Sequence, residues 1–310
     1  MTIYAVTILG AGAWGSALAT LAQKQGHRVC IWSRRSSQTL AEATRDADVV
    51  VSAIAMKGVR EIAASLQSLP SHAILVTATK GLDPATTRTP SQIWEATLTD
   101  RSIVVLSGPN LSKEIEAGLP AATIAASHDI DAAKTIQAIF SSDAFRVYTN
   151  TDPLGTELGG TLKNVMAIAT GVCDGLQLGT NAKAALLSRG AIEMVRVGTS
   201  LGGKVETFWG LSGLGDLLAT CNSPLSRNYR VGYGLAQGKS LAQVLDDIQG
   251  TAEGVNTTRV LVKLAAQRGI EVPIAHRVDR LLNGQIPPEK AVAELMERTL
   301  TSETVFPQFD

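Results

Sequence analysis

The sequence predicts an α/β fold in which a doubly wound, mostly parallel sheet is followed by an all-α C-terminal domain. In the first 150 residues, short β-branched runs alternate with helical stretches rich in small residues. From about Thr151 the hydrophobic period becomes that of helices. A chain of 310 residues is also longer than one hydrophobic core usually organises. We therefore expect two domains, residues 1–150 and residues 151–310.

The first domain is predicted to contain six buried strands. They are Ala5 to Leu9, Arg28 to Trp32, Ala47 to Ile54, Ala73 to Thr77, Ile103 to Leu106 and Ala122 to Ala126. Between the first two, the Ala- and Leu-rich stretch from Ser16 to Gln25 ends before Gly26, which is typical of a helix. Strands joined by helices run parallel, and such sheets bind ligands beyond the carboxyl ends of their strands.

The second domain is predicted to begin with a helix at Asp152-Pro153, because Asp can cap a helix and Pro favours its first turn. Apolar residues then recur at helical spacing, and Lys163 falls on a neighbouring stripe of small or polar residues. We expect Lys163 to border the core rather than enter it. Further predicted helices are Ala182 to Ser200, Leu241 to Ile248, Thr257 to Arg268 and Glu289 to Leu300.

The charge and cysteine content argue against several functional classes. Lys+Arg and Asp+Glu are equal at 28 each, so we expect neither a nucleic-acid partner nor a basic membrane surface. We find no signal-peptide pattern and no run of about 18 apolar residues, which favours a cytoplasmic protein without a membrane span. Cys30, Cys173 and Cys221 are too far apart for a metal or redox motif. We expect them to be reduced, and we expect no metal site.

The segment Gly10-Ala11-Gly12-Ala13-Trp14-Gly15 directly follows a predicted strand and opens a predicted helix. This is the context that the G-x-G-x-x-G fingerprint of Rossmann-type dinucleotide-binding domains requires. Gly10, Gly12 and Gly15 would let the backbone approach a pyrophosphate at the helix N-terminus. Trp14 would lie against the cofactor. Residues 1–150 are therefore predicted to be the dinucleotide-binding domain, and residues 151–310 the substrate and catalytic domain.

The residues after the second strand indicate which dinucleotide is preferred. An acidic residue there would bind the ribose 2′-hydroxyl of NAD, but this chain has Ser33-Arg34-Arg35. Arginine forks bind a 2′-phosphate that an acid would repel. Arg34 and Arg35 therefore favour NADPH over NADH.

Polar groups follow two further strands, at Thr79-Lys80-Gly81 and at Ser107-Gly108-Pro109-Asn110. Lys80 could contact the nicotinamide end and the substrate. Gly108 and Asn110 could offer backbone and amide hydrogen bonds to the substrate.

The helical half contains groups suited to a polyol phosphate. Arg227 and Asn228, in Ser226-Arg227-Asn228, could bind phosphate oxygens through a guanidinium fork and an amide. Asp216 could orient Lys163 or accept a hydrogen bond from a substrate hydroxyl. Reduction of a ketone also needs a proton donor, and none of the four histidines lies in these segments. We therefore expect Lys163 to supply that proton.

Taken in order along nearly the whole chain, these segments resemble the bacterial type of NAD(P)-dependent glycerol-3-phosphate dehydrogenase. The motifs are Gly10 to Gly15, Lys80-Gly81, Ser107-Gly108-Pro109, Leu162-Lys163-Asn164, Gly213 to Asp216, Ser226-Arg227-Asn228 and Ala252-Glu253-Gly254. The resemblance implies NAD(P)H-dependent, reversible reduction of dihydroxyacetone phosphate to sn-glycerol 3-phosphate, which supplies phospholipid synthesis, by an enzyme that is commonly a homodimer.

The resemblance also implies residue roles, with Lys163 as proton donor and acceptor. Implied substrate contacts are Lys80, Gly108, Asp216, Arg227 and Asn228. Implied cofactor contacts are Trp14, Arg34, Arg35, Lys80, Ser112, Arg227 and Glu253. The chain departs from the family pattern in the short segment between Trp32 and Asp48 and at Asn110, where serine is common.

Two other functions remain open. A β-hydroxyacid dehydrogenase would share this architecture and could use Arg227 for a carboxylate. A non-catalytic dinucleotide-binding sensor would keep the glycine fingerprint alone. The joint occurrence of Asp216 with Arg227-Asn228 favours the polyol-phosphate enzyme over the first, and Lys163 with Asn164 favours it over the second.

Overall fold

The structure is a computed structural model that describes residues 2–66, 69–248 and 250–299. The chain divides into two compact units, one of residues 1–83 and 88–157 and the other of residues 84–87 and 158–310. Within the described residues, the first unit contains the strands and the second is helical. The site residues are therefore distributed between a sheet-based unit and a helical unit.

Within the described residues, the first unit forms a seven-stranded sheet in the order β2-β1-β3-β4-β5-β6-β7. The strands are β1 (Ala5–Leu9), β2 (Arg28–Trp32), β3 (Val49–Ser52), β4 (Ile74–Thr77), β5 (Ile103–Ser107), β6 (Ala121–Ala126) and β7 (Phe145–Asn150). β1 to β5 are parallel, β6 pairs antiparallel with β5, and β7 pairs parallel with β6. The predicted mostly parallel sheet is confirmed.

The strand β7 is absent from the sequence-based prediction. Its buried residues Phe145 and Val147 alternate with the exposed Arg146 and Tyr148. Alternation of this kind marks a strand with one solvated face, and β7 is an edge strand of the sheet. The prediction relied on continuous apolar runs, which this alternation does not provide. The prediction that β2 is buried is wrong, because β2 is also an edge strand and leaves Arg28 and Ile31 exposed.

Helices cover both faces of the sheet, so the fold is doubly wound as predicted. Val50 and Val51 belong to different hydrophobic clusters, because successive side chains of a strand point to opposite faces. Leu18 packs in the cluster with Val51, and Trp94 packs in the cluster with Val50. The helices are α1 (Ala13–Lys24), α2 (Leu40–Thr44), α3 (Met56–Ser65), α4 (Pro90–Thr97), α5 (Ser112–Glu116) and α6 (Ile130–Phe140).

The strand order reverses at β1. This strand lies between β2 and β3, and its last residue Leu9 is in register with Trp32 and Ser52. In open parallel sheets, ligands bind beyond the carboxyl ends of the strands at such a reversal. The turn that follows Leu9 is therefore placed where the fold class binds its ligands.

The second unit is helical, which confirms the predicted all-α C-terminal domain. Its elements are α7 (Pro153–Gly175, which begins in the first unit), α8 (Gly179–Ser200), α9 (Val205–Phe208), a π-helical turn (Leu211–Gly215), α10 (Asp216–Cys221), α11 (Arg227–Ala236), α12 (Leu241–Asp247), α13 (Glu253–Arg268), α14 (Pro273–Leu282) and α15 (Pro288–Met296). Among the described residues, no helix combines the length and apolarity needed to span a membrane.

Candidate active site

The glycine turn, residues Gly10 to Gly15, links β1 to α1. Gly10 has a φ of 117°, which side chains rarely allow, and its N–H donates to the Trp32 carbonyl at 2.8 Å. A Cβ at Gly10 would lie 2.6 Å from the Ala53 carbonyl oxygen, and one at Gly15 would overlap the Gly10 carbonyl. Both glycines are therefore required by the packing of the turn itself.

Gly12 differs from these two glycines. It is the N-cap residue of α1, and no described atom would lie within 4 Å of a Cβ built there. The first turn of α1 contains no acidic residue. Unpaired N–H groups of a first helical turn carry partial positive charge and attract anions. Open space in front of such a terminus fits the pyrophosphate of a dinucleotide.

Other predicted cofactor residues of the first unit lie in α1, in the turn after β2 and at the start of α5. Trp14 is half-buried and packs against the cluster that contains Val51. Arg34 and Arg35 are exposed in the turn after β2, where Ser36 N–H donates to the Ser33 carbonyl at 2.9 Å. Ser112 is the first residue of α5.

The carboxyl ends of β4 and β5 bring Lys80 and Gly108 together. Lys80 Nζ donates to the Gly108 carbonyl at 3.2 Å. Asn110 Nδ2 donates to Thr123 Oγ1 at 2.9 Å, and Thr123 Oγ1 donates to the Ser107 carbonyl at 3.0 Å. Thr123 thus ties Asn110 to the end of β5.

In the second unit, Lys163 is buried with 7% of its surface exposed, so the prediction that it borders the core is wrong. The helix α7 is buried on all sides around this position, so the stripe of small and polar residues also faces protein. Lys163 Nζ forms an ion pair with Asp216 Oδ1 at 2.8 Å and donates to Thr220 Oγ1. We call Lys163, Asp216 and Thr220 the Lys163 cluster.

Glycines on α7 and in the π-helical turn allow these residues to meet. A Cβ at Gly159 would lie 2.8 Å from the Ser212 carbonyl oxygen, and one at Gly213 would overlap the Phe208 carbonyl. The turn therefore approaches α7 closely just before Asp216. Within α10, Asp216 and Thr220 are four residues apart and share a face, and Thr220 Oγ1 donates to Asp216 Oδ1 at 3.1 Å. Asp216 is 2% exposed.

A second group in the same unit, the asparagine network, joins α7, α11 and α13. Asn228 Nδ2 donates to Asn164 Oδ1 at 2.8 Å, and Gly254 N–H donates to Asn228 Oδ1 at 2.9 Å. A Cβ at Gly254 would lie 2.8 Å from both the Asn164 carbonyl and Asn228 Oδ1. Glu253, half-buried, begins α13. Both asparagine side chains are thus held by protein contacts.

The segment before Asn228 begins α11. Ser226 is buried and caps the helix, since its Oγ accepts from Tyr229 N–H at 3.2 Å. Arg227 is the first residue of the helix and is exposed. A cationic side chain at an exposed helix start is well placed to meet an anionic ligand.

Comparisons with known proteins follow this division of the chain. The family described as NAD-dependent glycerol-3-phosphate dehydrogenase matches with its N-terminus over residues 5–41 and 36–133, and with its C-terminus over residues 152–293. The glycerol-3-phosphate dehydrogenase [NAD(P)+] of Acaryochloris marina is 63% identical over 305 residues, which are 98% of each chain. The chain belongs to the NAD-dependent glycerol-3-phosphate dehydrogenase family.

Further relatives agree with this assignment. The enzyme of the same name from Synechocystis sp. is 61% identical over 98% of this chain and 96% of its own. The crystal structure of glycerol-3-phosphate dehydrogenase from Coxiella burnetii has a TM-score of 0.92 and 33% identity, and the match covers 96% of this chain and 99% of that one. The family that the motifs predicted is confirmed. The prediction of a nicotinamide-dependent dehydrogenase is confirmed as well. This assignment argues against the two alternative functions, a β-hydroxyacid dehydrogenase and a non-catalytic dinucleotide-binding sensor.

The sequence analysis did not predict that Thr220 belongs to the Lys163 cluster. Its hydroxyl contacts both Lys163 and Asp216. The spacing of Asp216 and Thr220 could have indicated a shared helix face. The next residue, Cys221, is buried, and burial raises the pKa of its thiol to about 11. Cys221 is therefore a neutral packing residue at physiological pH.

Among residues 2–66, 69–248 and 250–299, no group of three or more His, Cys, Asp or Glu is arranged to hold a metal ion.

Proposed function

We propose that this chain reduces dihydroxyacetone phosphate to sn-glycerol 3-phosphate, reversibly, with NADPH preferred over NADH. The observation that carries the proposal is a buried lysine, Lys163, whose ammonium is held by Asp216 and Thr220. Lys163 is also next in sequence to Asn164 of the asparagine network, and the chain belongs to this family. Both observations support the reduction of a phosphorylated ketone.

The first unit is proposed to bind the dinucleotide, which when bound supplies the hydride that the ketone carbon receives. Gly10, Gly12 and Gly15 would hold its pyrophosphate at the α1 N-terminus, as the open space at Gly12 supports. The guanidinium groups of Arg34 and Arg35 would bind the 2′-phosphate of NADPH. The further proposed cofactor contacts are Trp14, Lys80, Ser112, Arg227 and Glu253.

Lys163 is proposed to protonate the ketone oxygen. An ammonium has three N–H bonds, and its contacts with Asp216 and Thr220 use two of them. The third can donate to the oxygen on which negative charge develops, so the lysine stabilises that charge and then transfers the proton. In the reverse direction the neutral amine accepts the proton from the hydroxyl of glycerol phosphate.

Asp216 and Thr220 fix the position of the Lys163 ammonium. The Asp216 carboxylate faces the ammonium at 2.8 Å within a buried environment, so it holds the nitrogen in place and orients one of its N–H bonds. Because Thr220 holds both partners, the reactive nitrogen has little freedom to leave this geometry. This is the preorganisation that proton transfer to a substrate atom requires.

The substrate phosphate is proposed to bind at the start of α11. Arg227 would supply the guanidinium fork, and Asn228 and Ser226 would supply an amide and a hydroxyl. Since Ser226 Oγ accepts from Tyr229 N–H, its own hydrogen can still donate to an anion. Lys80, Gly108, Asn110 and Asp216 are the further proposed substrate contacts.

The broader context is part of the same proposal. We propose a dinucleotide-binding domain over residues 1–150 and a substrate and catalytic domain over residues 151–310. The enzyme is proposed to be a cytoplasmic homodimer that uses no metal, partners with no nucleic acid, and supplies glycerol phosphate for phospholipid synthesis.

A spectrophotometric assay tests this function. Purified protein with NADPH should oxidise the cofactor when dihydroxyacetone phosphate is added, and more slowly when NADH replaces NADPH. A short β-keto acid should give no turnover, because it offers no phosphate to Arg227. Turnover of the β-keto acid and not of the phosphorylated ketone would contradict the proposal.

A further inference from the structure

A polar cluster on the second unit lies outside the machinery described above. Tyr229, the residue after Asn228, donates its hydroxyl to Asp174 Oδ2 at 2.7 Å. Lys183 Nζ contacts the same Asp174 oxygen at 2.6 Å and lies 5.6 Å from the centroid of the Tyr229 ring. The three residues come from the end of α7, the start of α8 and the first turn of α11.

The helices α7 and α11 meet through their backbones. A Cβ at Gly171 of α7 would overlap the Tyr229 carbonyl, and a Cβ at Gly232 of α11 would overlap the Ile168 carbonyl. Interlocking side chains normally fix how one helix is rotated against another. A crossing between glycines brings the helices close but provides few such side chains. Other contacts must therefore fix the rotation of α11 about its own axis.

Two contacts on the first turn of α11 can do this. Asn228 is bonded to Asn164 of α7, and Tyr229 is bonded to Asp174 of the same helix. These partners are ten residues apart, which is about 15 Å along a helix. Attachment at two separated points on α7 sets both the rotation and the tilt of the α11 N-terminus. Gln237 Nε2 also donates to the Gly175 carbonyl of α7 at 2.8 Å, but it does so from the C-terminal end of α11. Without Tyr229, these contacts to α7 would leave the first turn of α11 with Asn228 as its attachment.

The chemistry of the cluster keeps the Tyr229 bond intact. Burial, then the hydrogen bond to Asp174 and its charge, raise the pKa of Tyr229. The phenol therefore remains a donor throughout the physiological pH range. Lys183 Nζ contacts the same Asp174 oxygen, so the acceptor of the Tyr229 hydrogen bond is itself held in place by an ion pair.

We infer that Tyr229 is a positioning residue for substrate binding, which acts by fixing, through Asp174, the direction in which α11 presents Arg227 and Asn228. This inference rests on the proposed function, because it assumes that those two residues bind the substrate phosphate. Tyr229 would thus affect the affinity for the substrate phosphate without contacting the substrate itself.

The test compares Tyr229→Phe with Tyr233→Phe. Both variants remove one hydroxyl, and Tyr233 is a matched control because it stacks on Tyr229 from the same helix and is exposed. Loss of one hydrogen bond to a charged acceptor should raise the KM for dihydroxyacetone phosphate about 3- to 10-fold in Tyr229→Phe. We expect kcat to change less than about twofold, and the KM for NADPH to remain that of the wild type. Tyr233→Phe should match the wild type.

Two further variants separate positioning from stability. Asp174→Asn keeps an oxygen that can accept from Tyr229 and should retain a nearly wild-type KM, whereas Asp174→Ala should resemble Tyr229→Phe. A lowered melting temperature with an unchanged KM for dihydroxyacetone phosphate would overturn the inference, as would equal KM values in Tyr229→Phe and Tyr233→Phe.

Amide hydrogen exchange of residues 226–233 makes the test independent of turnover. Exchange should be faster in Tyr229→Phe than in Tyr233→Phe when the first turn of α11 is less firmly held. Equal exchange rates would contradict the positioning role. If exchange were faster in Tyr229→Phe than in Tyr233→Phe but the wild type did not reduce dihydroxyacetone phosphate, the proposed function would fail while the role of Tyr229 in holding α11 would stand.

Discussion

The glycine turn of the first unit and the Lys163 cluster of the second present different kinds of atoms. The glycine turn is made of consecutive residues, and what it offers to a ligand is backbone N–H groups in front of open space at Gly12. In the Lys163 cluster, the lysine and its two partners are 53 and 57 positions apart, and the groups that matter are side-chain atoms. The first site depends on which positions lack a Cβ, and the second depends on which side chains meet.

This difference has a consequence for substitution. The peptide groups of the glycine turn would be retained by many sequences, provided that Gly10 and Gly15 leave room for neighbouring carbonyls. The Lys163 cluster has no such tolerance, since the ammonium, the carboxylate and the hydroxyl are each supplied by one residue. Variants of the second site should therefore alter chemistry, and variants of the first should alter folding or cofactor affinity.

The largest effect is expected at Lys163. Lys163→Ala should lower kcat for dihydroxyacetone phosphate about 10²- to 10⁴-fold, with cofactor binding by fluorescence little changed, because the proton donor acts mainly in the transition state. It should also lower the free energy of unfolding by roughly 3 to 5 kcal/mol, since it removes the positive charge that faces the buried Asp216.

A double variant separates these two effects. Lys163→Met combined with Asp216→Asn removes both charges and should recover much of the melting temperature while leaving kcat low. Lys163→Arg should not restore turnover, because arginine does not release a proton near neutral pH. Full activity of Lys163→Arg would show that Lys163 acts through its charge and does not donate the proton.

The next effect is expected at Arg227. Arg227→Ala should weaken transition-state binding of dihydroxyacetone phosphate by roughly 2 to 5 kcal/mol, measured as kcat/KM, because the phosphate loses its charged partner. Arg227→Lys should restore only part, since an ammonium lacks the planar fork. Arg230→Ala is the matched control, an exposed arginine of the same helix that donates to the Asp247 carbonyl at 3.2 Å. Equal losses in the Arg227 and Arg230 variants would place the phosphate elsewhere.

Two glycine variants compare folding with affinity inside the glycine turn. Gly10→Ala should cost about 1 to 3 kcal/mol of stability in thermal unfolding, because its φ of 117° and the Ala53 carbonyl both oppose a Cβ. Gly12→Ala should leave the melting temperature unchanged but weaken NADPH and NADH equally, because its methyl group enters the open space. A stable Gly12→Ala variant with normal affinity for both cofactors would show that the pyrophosphate does not bind at Gly12.

The arginines after β2 are expected to affect only one cofactor. The double variant Arg34→Ala, Arg35→Ala should raise the KM for NADPH about 10-fold and leave the KM for NADH nearly unchanged, because only NADPH carries the 2′-phosphate. Steady-state kinetics with each cofactor measure this. A parallel rise in both KM values would show that these arginines do not distinguish the two dinucleotides.

The smallest effect concerns a carboxyl group that each unit buries at a helix start. Glu157 accepts from Ser91 N–H of α4 at 3.0 Å, and Glu193 accepts from Ile274 and Ala275 N–H of α14 at 2.9 Å. Burial raises the pKa of each carboxyl to about 7, against the partly opposing effect of these hydrogen bonds. The folded chain therefore holds protons that the unfolded chain releases near pH 4.5.

The sign of the pH dependence follows from this difference. The contribution of each group to stability is fully present below pH 4.5 and is lost as pH rises through about 7. Glu193→Gln should abolish its share of this loss, on the order of 1 kcal/mol between pH 5 and 7. The exposed Glu289→Gln should keep the wild-type slope when melting temperatures are compared across that range. An unchanged slope in Glu193→Gln would contradict the raised pKa.

Sequence patterns were sufficient for features that depend on neighbouring residues. Strands β1 and β2 begin and end where the apolar runs predicted. Only β1 is buried as expected, because β2 is an edge strand that leaves Arg28 and Ile31 exposed. The glycine turn was also predictable, because its function lies in a fixed local order of glycines after a strand. Family membership followed from such motifs taken in order.

Only the tertiary structure could decide which polar side chains are buried together. Periodicity placed Lys163 outside the core, since an apolar stripe cannot reveal that a second face of α7 is also covered. Its contacts with Asp216 and Thr220 depend on the close approach of the π-helical turn to Gly159, a long-range packing event that no local pattern encodes. The same holds for Tyr229 and Asp174, which lie 55 positions apart. Local order determines the backbone of a site, whereas packing between distant elements determines which charges and hydroxyls share it.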